Sequence, residues 1–197
     1  WVNTDGPDGE LADFEIKYTF GVMPLQQYLI ELPGGRLQAF SIAWDSRAKE
    51  QGGQRWFHLY PSEEIDYKHE LHWTKHSQNW NFMCAECHST NLQKNYDPNS
   101  RSYRTQWSEI DVACEACHGP AARHVIWAEQ RAGYESIDSQ TKGLIVQFNK
   151  RNRAKWKIDP VSGNAQKNVP HDADKEIQVC ARCHSRRVQL FGDYRYE

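Results

Sequence analysis

Nowhere in its 197 residues does the chain run 18 or more apolar residues in a row, so no segment reads as a membrane-spanning helix. It has no excess of basic charge. The 24 Lys+Arg against 26 Asp+Glu give a formal net charge of -2, which removes the electrostatic ground for binding nucleic acid or an anionic membrane surface. Aliphatic material is scarce: hydrophobic residues make up 39% and mean hydropathy is -0.86, thin for 23.0 kDa of protein. Methionine is nearly missing, at 2 residues, and there is no low-complexity tract or repeat of fixed period. The length suits one domain or two small ones and excludes a large multidomain enzyme. No initiating Met or charged-then-apolar leader precedes Trp1, as expected of a mature secreted protein or an excised piece of a longer one.

What the chain does have is aromatic side chains and cysteine in a fixed pattern. The 8 Trp, 9 Tyr and 7 Phe are too much apolar surface for a disordered chain. All 6 Cys fall in three copies of one motif: Cys84-Ala85-Glu86-Cys87-His88, Cys114-Glu115-Ala116-Cys117-His118 and Cys180-Ala181-Arg182-Cys183-His184. C-x-x-C-H is the attachment pattern of c-type haem, in which two thiols bind the two vinyl groups and the adjacent His holds the iron. On a helical turn, residues i and i+3 share a face, so both sulfurs meet one porphyrin edge. A zinc ribbon wants CxxC pairs about 15 to 20 residues apart, whereas 26 residues separate Cys87 from Cys114 and 62 separate Cys117 from Cys180. A thioredoxin-like motif needs no triplication, and a disulfide framework does not explain the His after every pair. Three covalently attached haem c groups are therefore expected on Cys84, Cys87, Cys114, Cys117, Cys180 and Cys183, with His88, His118 and His184 as proximal ligands. Such plates would supply the missing apolar interior. Their propionates would make the holoprotein more acidic, so that a docking partner should be basic.

The fold expected is α+β with little regular secondary structure: a small antiparallel β unit over residues 1–61, packed on a haem-organised region of short helices and long loops over 62–197. Phe14, Ile16, Tyr18, Phe20 and Val22 alternate as in a half-buried strand. Leu25 to Leu32 and Arg36 to Trp44 flank the hairpin signal Pro33-Gly34-Gly35, and a short strand is expected from Arg55 to Tyr60. Ser108 and Asp111 resemble a capping box for a helix carrying Cys114 and Cys117. Pro120 can open a second helix running to Gly133. Asp172 can open a third, with Asp174 and Glu176 in its first turn. Leu144 to Phe148 and Ala154 to Ile158 can pair as a hairpin.

Six His remain beyond the motifs: His58, His69, His72, His76, His124 and His171. Met83 directly precedes Cys84 and is badly placed to cross its own haem, and Met23 falls in the strand region, so bis-histidine ligation is the expectation. Only five residues separate His118 from His124, and a helix rises about 1.5 Å per residue. That path is too short to carry His124 round the porphyrin, so it is expected to ligate a haem other than the one at Cys114 and Cys117.

The segment from Tyr18 to Gln27 (YTFGVMPLQQ), with RWFHLYP, LHW, NWNFMCAECHST, CEACHGP followed by His124, and CARCHSRR, resembles bacterial multihaem c-type cytochromes. The resemblance is to the tetrahaem cytochrome c and hydroxylamine-oxidoreductase-like superfamily, in the branch where tetratricopeptide repeats often follow the haem region. It covers most of residues 14 to 191. It implies an exported electron-transfer module with mostly bis-histidine haems, and it implies His58, His72 and His124 as distal ligands. Members of that family carry further CxxCH sites before and after such a stretch, so the chain reads as the ordered core of a larger protein.

The function expected is electron transfer through closely spaced haems, with other redox proteins or cytochromes as partners and no nucleic acid. Two alternatives stay open: a multihaem redox enzyme, such as a nitrogen- or sulfur-oxyanion reductase or a hydroxylamine-type oxidase, and a subunit of a homo-oligomer or extracellular cytochrome filament. The enzyme needs an open iron site, and the Lys-ligated CxxCK form of nitrite reductases does not occur here. Haem attaches to reduced thiols after export, which points to the periplasm or the cell exterior.

Overall fold

The computed structural model describes residues 1–148, 155–168, 174–185 and 187. It is an α+β protein with little regular structure, as the sequence predicts: antiparallel strands come first, then short helices among loops. The chain divides into two compact units, Trp1–Glu86 with Leu92–Gln106, and Cys87–Asn91 with the described part of Trp107–Glu197.

The first unit is built on strands. Val2–Asp5 (β1) pairs with Leu11–Phe14 (β2), and Ile16–Phe20 (β3) with Leu25–Leu32 (β4). The hairpin expected at Pro33-Gly34-Gly35 forms, with Arg36–Ala39 (β5) returning along β4 and Leu32 opposite Arg36. Gly34 and Gly35 take φ of 82° and 68°, and a Cβ on Gly35 would meet the Tyr103 carbonyl oxygen at 2.3 Å. The strand predicted from Arg36 to Trp44 is divided at Phe40-Ser41, after which Ile42–Asp45 (β6) pairs with the start of β4 and with Arg55–His58 (β7).

The alternation predicted from Phe14 to Val22 holds only in part. Phe14, Ile16 and Phe20 are half-buried, but Tyr18 and Val22 are exposed. The β3–β4 register slips between Ile16 and Tyr18, and such a bulge turns the following side chains over. The core gathers around β4, where Ile30, Leu32, Phe40 and Trp73 pack together with Phe14 edge-on to Trp73 at 4.9 Å.

Buried amides bind the next segment to this sheet. Gln38 Nε2 donates to the carbonyls of Trp73 and Lys75, Asn79 Nδ2 donates to Gln38 Oε1, and Asn81 Oδ1 accepts from Leu37 N–H at 2.7 Å. Asn79 also caps the helix Trp80–Met83 (α1) by accepting from Phe82 N–H. The short hairpin Tyr96–Asp97 (β8) with Ser102–Tyr103 (β9) completes the unit.

The second unit carries Cys114–His118 (α2), Ala122–Ala128 (α3), the hairpin Trp156–Ile158 (β10) with Ala165–Lys167 (β11), and Asp174–His184 (α4). Several predicted boundaries are corrected. Ser108 and Asp111 do not form a capping box. Instead the buried Thr90 hydroxyl donates to Asp111 C=O at 2.8 Å and accepts from Ala113 N–H at 2.9 Å, holding the approach to α2 by a contact no local pattern contains. Pro120 is not the first residue of α3, which starts at Ala122 and ends at Ala128, well before Gly133. Leu144 to Phe148 is not a strand, because Trp156–Ile158 pairs forward across a turn held by Asp159, whose carboxylate accepts from Val161 N–H, Ser162 and Gln166. These bonds hold the Asp159 carboxyl below its ordinary range. Ala154, His171 and Asp172 lie outside the described residues.

Candidate functional site

The second and third motifs sit on helices, as the i, i+3 argument requires. Cys114 and Cys117 share one face of α2, and Cys180 and Cys183 lie in the last turn of α4. The first motif departs from that expectation. Cys84 is the C-cap of α1, Ala85 N–H reaches back to Trp80 C=O at 2.8 Å and closes the helix, and the stretch to His88 runs through turns. None of the six cysteines is bridged. Cys114 and Cys183 are exposed and the other four half-buried.

In the second unit the structure brings residues of different motifs together. The Cys87 sulfur lies 3.8 Å from the Arg182 carbonyl oxygen and 3.9 Å from that of Cys183, and as a free thiol it donates to both. Val146 and Val179, both buried, pack with Cys117 and Phe148. The loop before Phe148 therefore touches both the second motif and the helix of the third.

The histidines differ in what holds them. His118 Nδ1 is 2.8 Å from Val146 C=O, and its ring stands edge-on to Phe148 at 5.1 Å. His124 Nδ1 is 2.8 Å from Lys142 C=O, and its ring stacks on Trp127. A carbonyl only accepts, so in both rings the proton is on Nδ1 and Nε2 keeps its lone pair. Nε2 of neither ring has a hydrogen-bond partner among the described residues. This is how metal-binding histidines are oriented by outer contacts. Between them, the Glu115 carboxylate accepts from Ala121 N–H at 2.7 Å and Glu115 C=O accepts from Gly119 N–H, folding the chain tightly from α2 into α3. Among the described residues no side-chain partner fixes His184, which is exposed at the end of α4; His88 is also exposed.

His58 ends β7 with Nδ1 accepting from Tyr60 N–H at 3.1 Å, which puts the ring proton on Nε2. His72 is 3% exposed and engaged at both nitrogens: Nε2 is 3.1 Å from Asp5 Oδ2 and Nδ1 is 2.8 Å from the Thr74 hydroxyl. That is the arrangement of a satisfied interior histidine. Met23 and Met83 are both exposed. His58 and His72 belong to the first unit, and His118, His124 and His184 to the second.

Sequence reasoning missed Thr90, Gly143 and the carbonyls of Lys142 and Val146. The isolated Lys142-Gly143 pair was the one available signal, as a turn. The donor set fits haem c: paired thiols on a helix face, an adjacent His with Nε2 available, and a unit poor in buried aliphatic side chains. Among the described residues no three His, Cys, Asp or Glu side chains converge as a bare metal ion would require.

No curated protein and no solved structure matches the chain. A protein-family model described as cytochrome c554 and c-prime matches residues 43–119, a segment that holds the first two CxxCH motifs and ends before the third. The match supports a c-type cytochrome, with covalently bound haem and a part in electron transfer.

Proposed function

We propose that the protein is an exported multihaem cytochrome that passes electrons through three covalently attached haems, with residues 1–61 as a scaffold and 62–197 as the haem-bearing part. The observation that carries this reading is the use of every Cys in three CxxCH motifs, supported by a His118 ring held so that Nε2 is left to ligate. Haem supplies one-electron chemistry at iron, its potential set by axial ligands, burial and hydrogen bonds. Cys84, Cys87, Cys114, Cys117, Cys180 and Cys183 would bind the three macrocycles as thioethers, and His88, His118 and His184 would hold the irons from one side. His124 would supply a distal ligand as it stands, and His58 would supply another once its ring proton moves to Nδ1 and the bond from Tyr60 N–H is given up. His72, implied by the family resemblance, would have to give up Asp5 to join them. The contact of Cys87 with the third motif supports close spacing of the haems carried there. Partners are other redox proteins, and the site of action is the periplasm or the cell exterior.

Denaturing mass spectrometry of the purified protein tests the first part: the mass is that of the polypeptide plus three haems, and a bare polypeptide mass ends the reading. Electron paramagnetic resonance of the oxidised protein tests the second. Low-spin signals alone are expected, and a substantial high-spin signal with ready carbon monoxide binding after reduction moves the protein into the enzyme class.

A further inference from the structure

Residues 142–146 contain no His, Cys, Asp or Glu and belong to no motif, yet both oriented histidines end on them. Lys142 C=O takes the Nδ1–H of His124 and Val146 C=O takes the Nδ1–H of His118, each at 2.8 Å, and Val146 N–H returns a bond to His118 C=O at 3.3 Å. The path between the two carbonyls is tightly specified. Lys142 and Gly143 have φ of 53° and 75°, the left-handed region that an ordinary residue enters only at a cost. Lys142 N–H is tied to Asp138 C=O at 2.7 Å and Leu144 N–H to Thr141 C=O at 3.0 Å. The Lys142 ammonium lies 5.3 Å from the centre of the Trp127 ring, the same ring on which His124 stacks. At Gly143 the strand of chain presses on the backbone of α3: a Cβ there would stand 2.7 Å from Arg123 C and 2.8 Å from His124 N. Backbone atoms cannot swing aside, so any side chain at 143 must lift the segment off the helix.

We infer that Lys142–Val146 is a single orienting strap, pinned by the side-chain-free contact at Gly143, that sets ring orientation and Nδ1–H polarity in His118 and His124 together. Gly143 is thus a positioning residue for two ligands. The inference deepens the proposed function and rests on reading His118 and His124 as haem ligands, which on the chain-length argument serve different irons. A carbonyl on Nδ1–H makes the imidazole a stronger donor and favours the ferric state. Loosening one strap then raises two potentials at once.

The wild-type holoprotein gives the first test. In the reduced, low-spin protein, exchange of the two Nδ1–H protons for deuterium is followed by NMR at increasing denaturant below unfolding. One strap opening as a unit gives both protons the same denaturant dependence, and separate dependences overturn the inference. The second test compares Gly143→Ala with Gly133→Ala. Gly133 has φ of 89°, so alanine pays the same backbone penalty there, but nothing lies within 4 Å of its added Cβ. Gly143→Ala is expected to speed exchange of both protons and to raise two midpoint potentials, while Gly133→Ala changes neither. A folded Gly143→Ala protein with its full haem complement and unchanged exchange and potentials overturns the inference, as does one in which only one histidine responds. Should Gly143→Ala fail to fold, the wild-type exchange decides. His124→Ala separates the two levels: if every haem stays low-spin there, the ligand assignment fails, whereas the exchange measurement still judges the strap.

Discussion

The first unit closes on its own side chains, while the described residues of the second bury few apolar ones. Leu29, Ile30, Leu32, Phe40, Trp73 and Trp80 are buried in the first, with Gln38, Asn79 and Asn81 buried and hydrogen-bonded beside them. In the second, Ile137, Val146 and Val179 are the buried apolar side chains among the described residues. Its helices α2 and α3 have 5 and 7 residues, far below the roughly 12 to 15 at which an isolated helix becomes marginal. Strands with a wet and a dry face can bury enough area for about 1.5 to 3 kcal/mol per large side chain. Short helices and turns need an apolar partner from elsewhere, and a covalently tethered macrocycle is one.

This contrast is open to attack at several points. The largest effect is expected from removing one attachment site. Cys114→Ala with Cys117→Ala should lose one haem by denaturing mass spectrometry and remove hydrogen-exchange protection over residues 107–148, while residues 25–45 keep theirs; equal loss in both segments would erase the contrast. Next is Ile30→Ala, a fully buried position in the first unit. It should cost about 2 to 5 kcal/mol in urea unfolding and leave the spin state of the folded protein unchanged. A smaller change in stability, with a clear spectroscopic one, is expected of His124→Ala: one haem becomes high-spin, and the haem at Cys114 and Cys117 keeps His118.

The smallest effect concerns Asp45. Bonds from the Arg47 side chain, the shortest at 2.6 Å, hold its carboxyl at about 2. Because the folded pKa lies below the unfolded one, this interaction stabilises above the ordinary carboxylate range and is lost as pH falls toward about 2. Asp45→Asn should therefore differ from wild type at pH 6 and converge with it near pH 2, as denaturant titrations at both pH values would show.

The strand region was legible where turn chemistry spoke for itself. Pro33-Gly34-Gly35 fixed a hairpin, and β4 runs from Leu25 to Leu32 as read. The β1–β2 and β8–β9 hairpins escaped notice, since four or two residues of strand show no periodicity. The sequence marks the helix around Cys114 but points to Ser108 and Asp111 for its start, because a hydroxyl 23 residues away at Thr90 leaves no mark near Ala113. In the site, CxxCH announces itself through side chains. The groups that orient His118 and His124 are main-chain carbonyls, which every residue possesses and no letter of the sequence distinguishes. His72 shows the reverse: the family resemblance implies it as a ligand, but its partners Asp5 and Thr74 appear only in the folded chain.

The meeting of Cys87 with Arg182 and Cys183 joins points 95 and 96 residues apart in the chain. Closing a loop of that length costs about 4 kcal/mol in chain entropy beyond the constant for any loop, and contacts of such separation form after local ones. During folding, then, Cys87 stays open until α4 has reached it. The contact between Cys87 and α4 closes after the local turns around it, so the order of assembly is written into the topology.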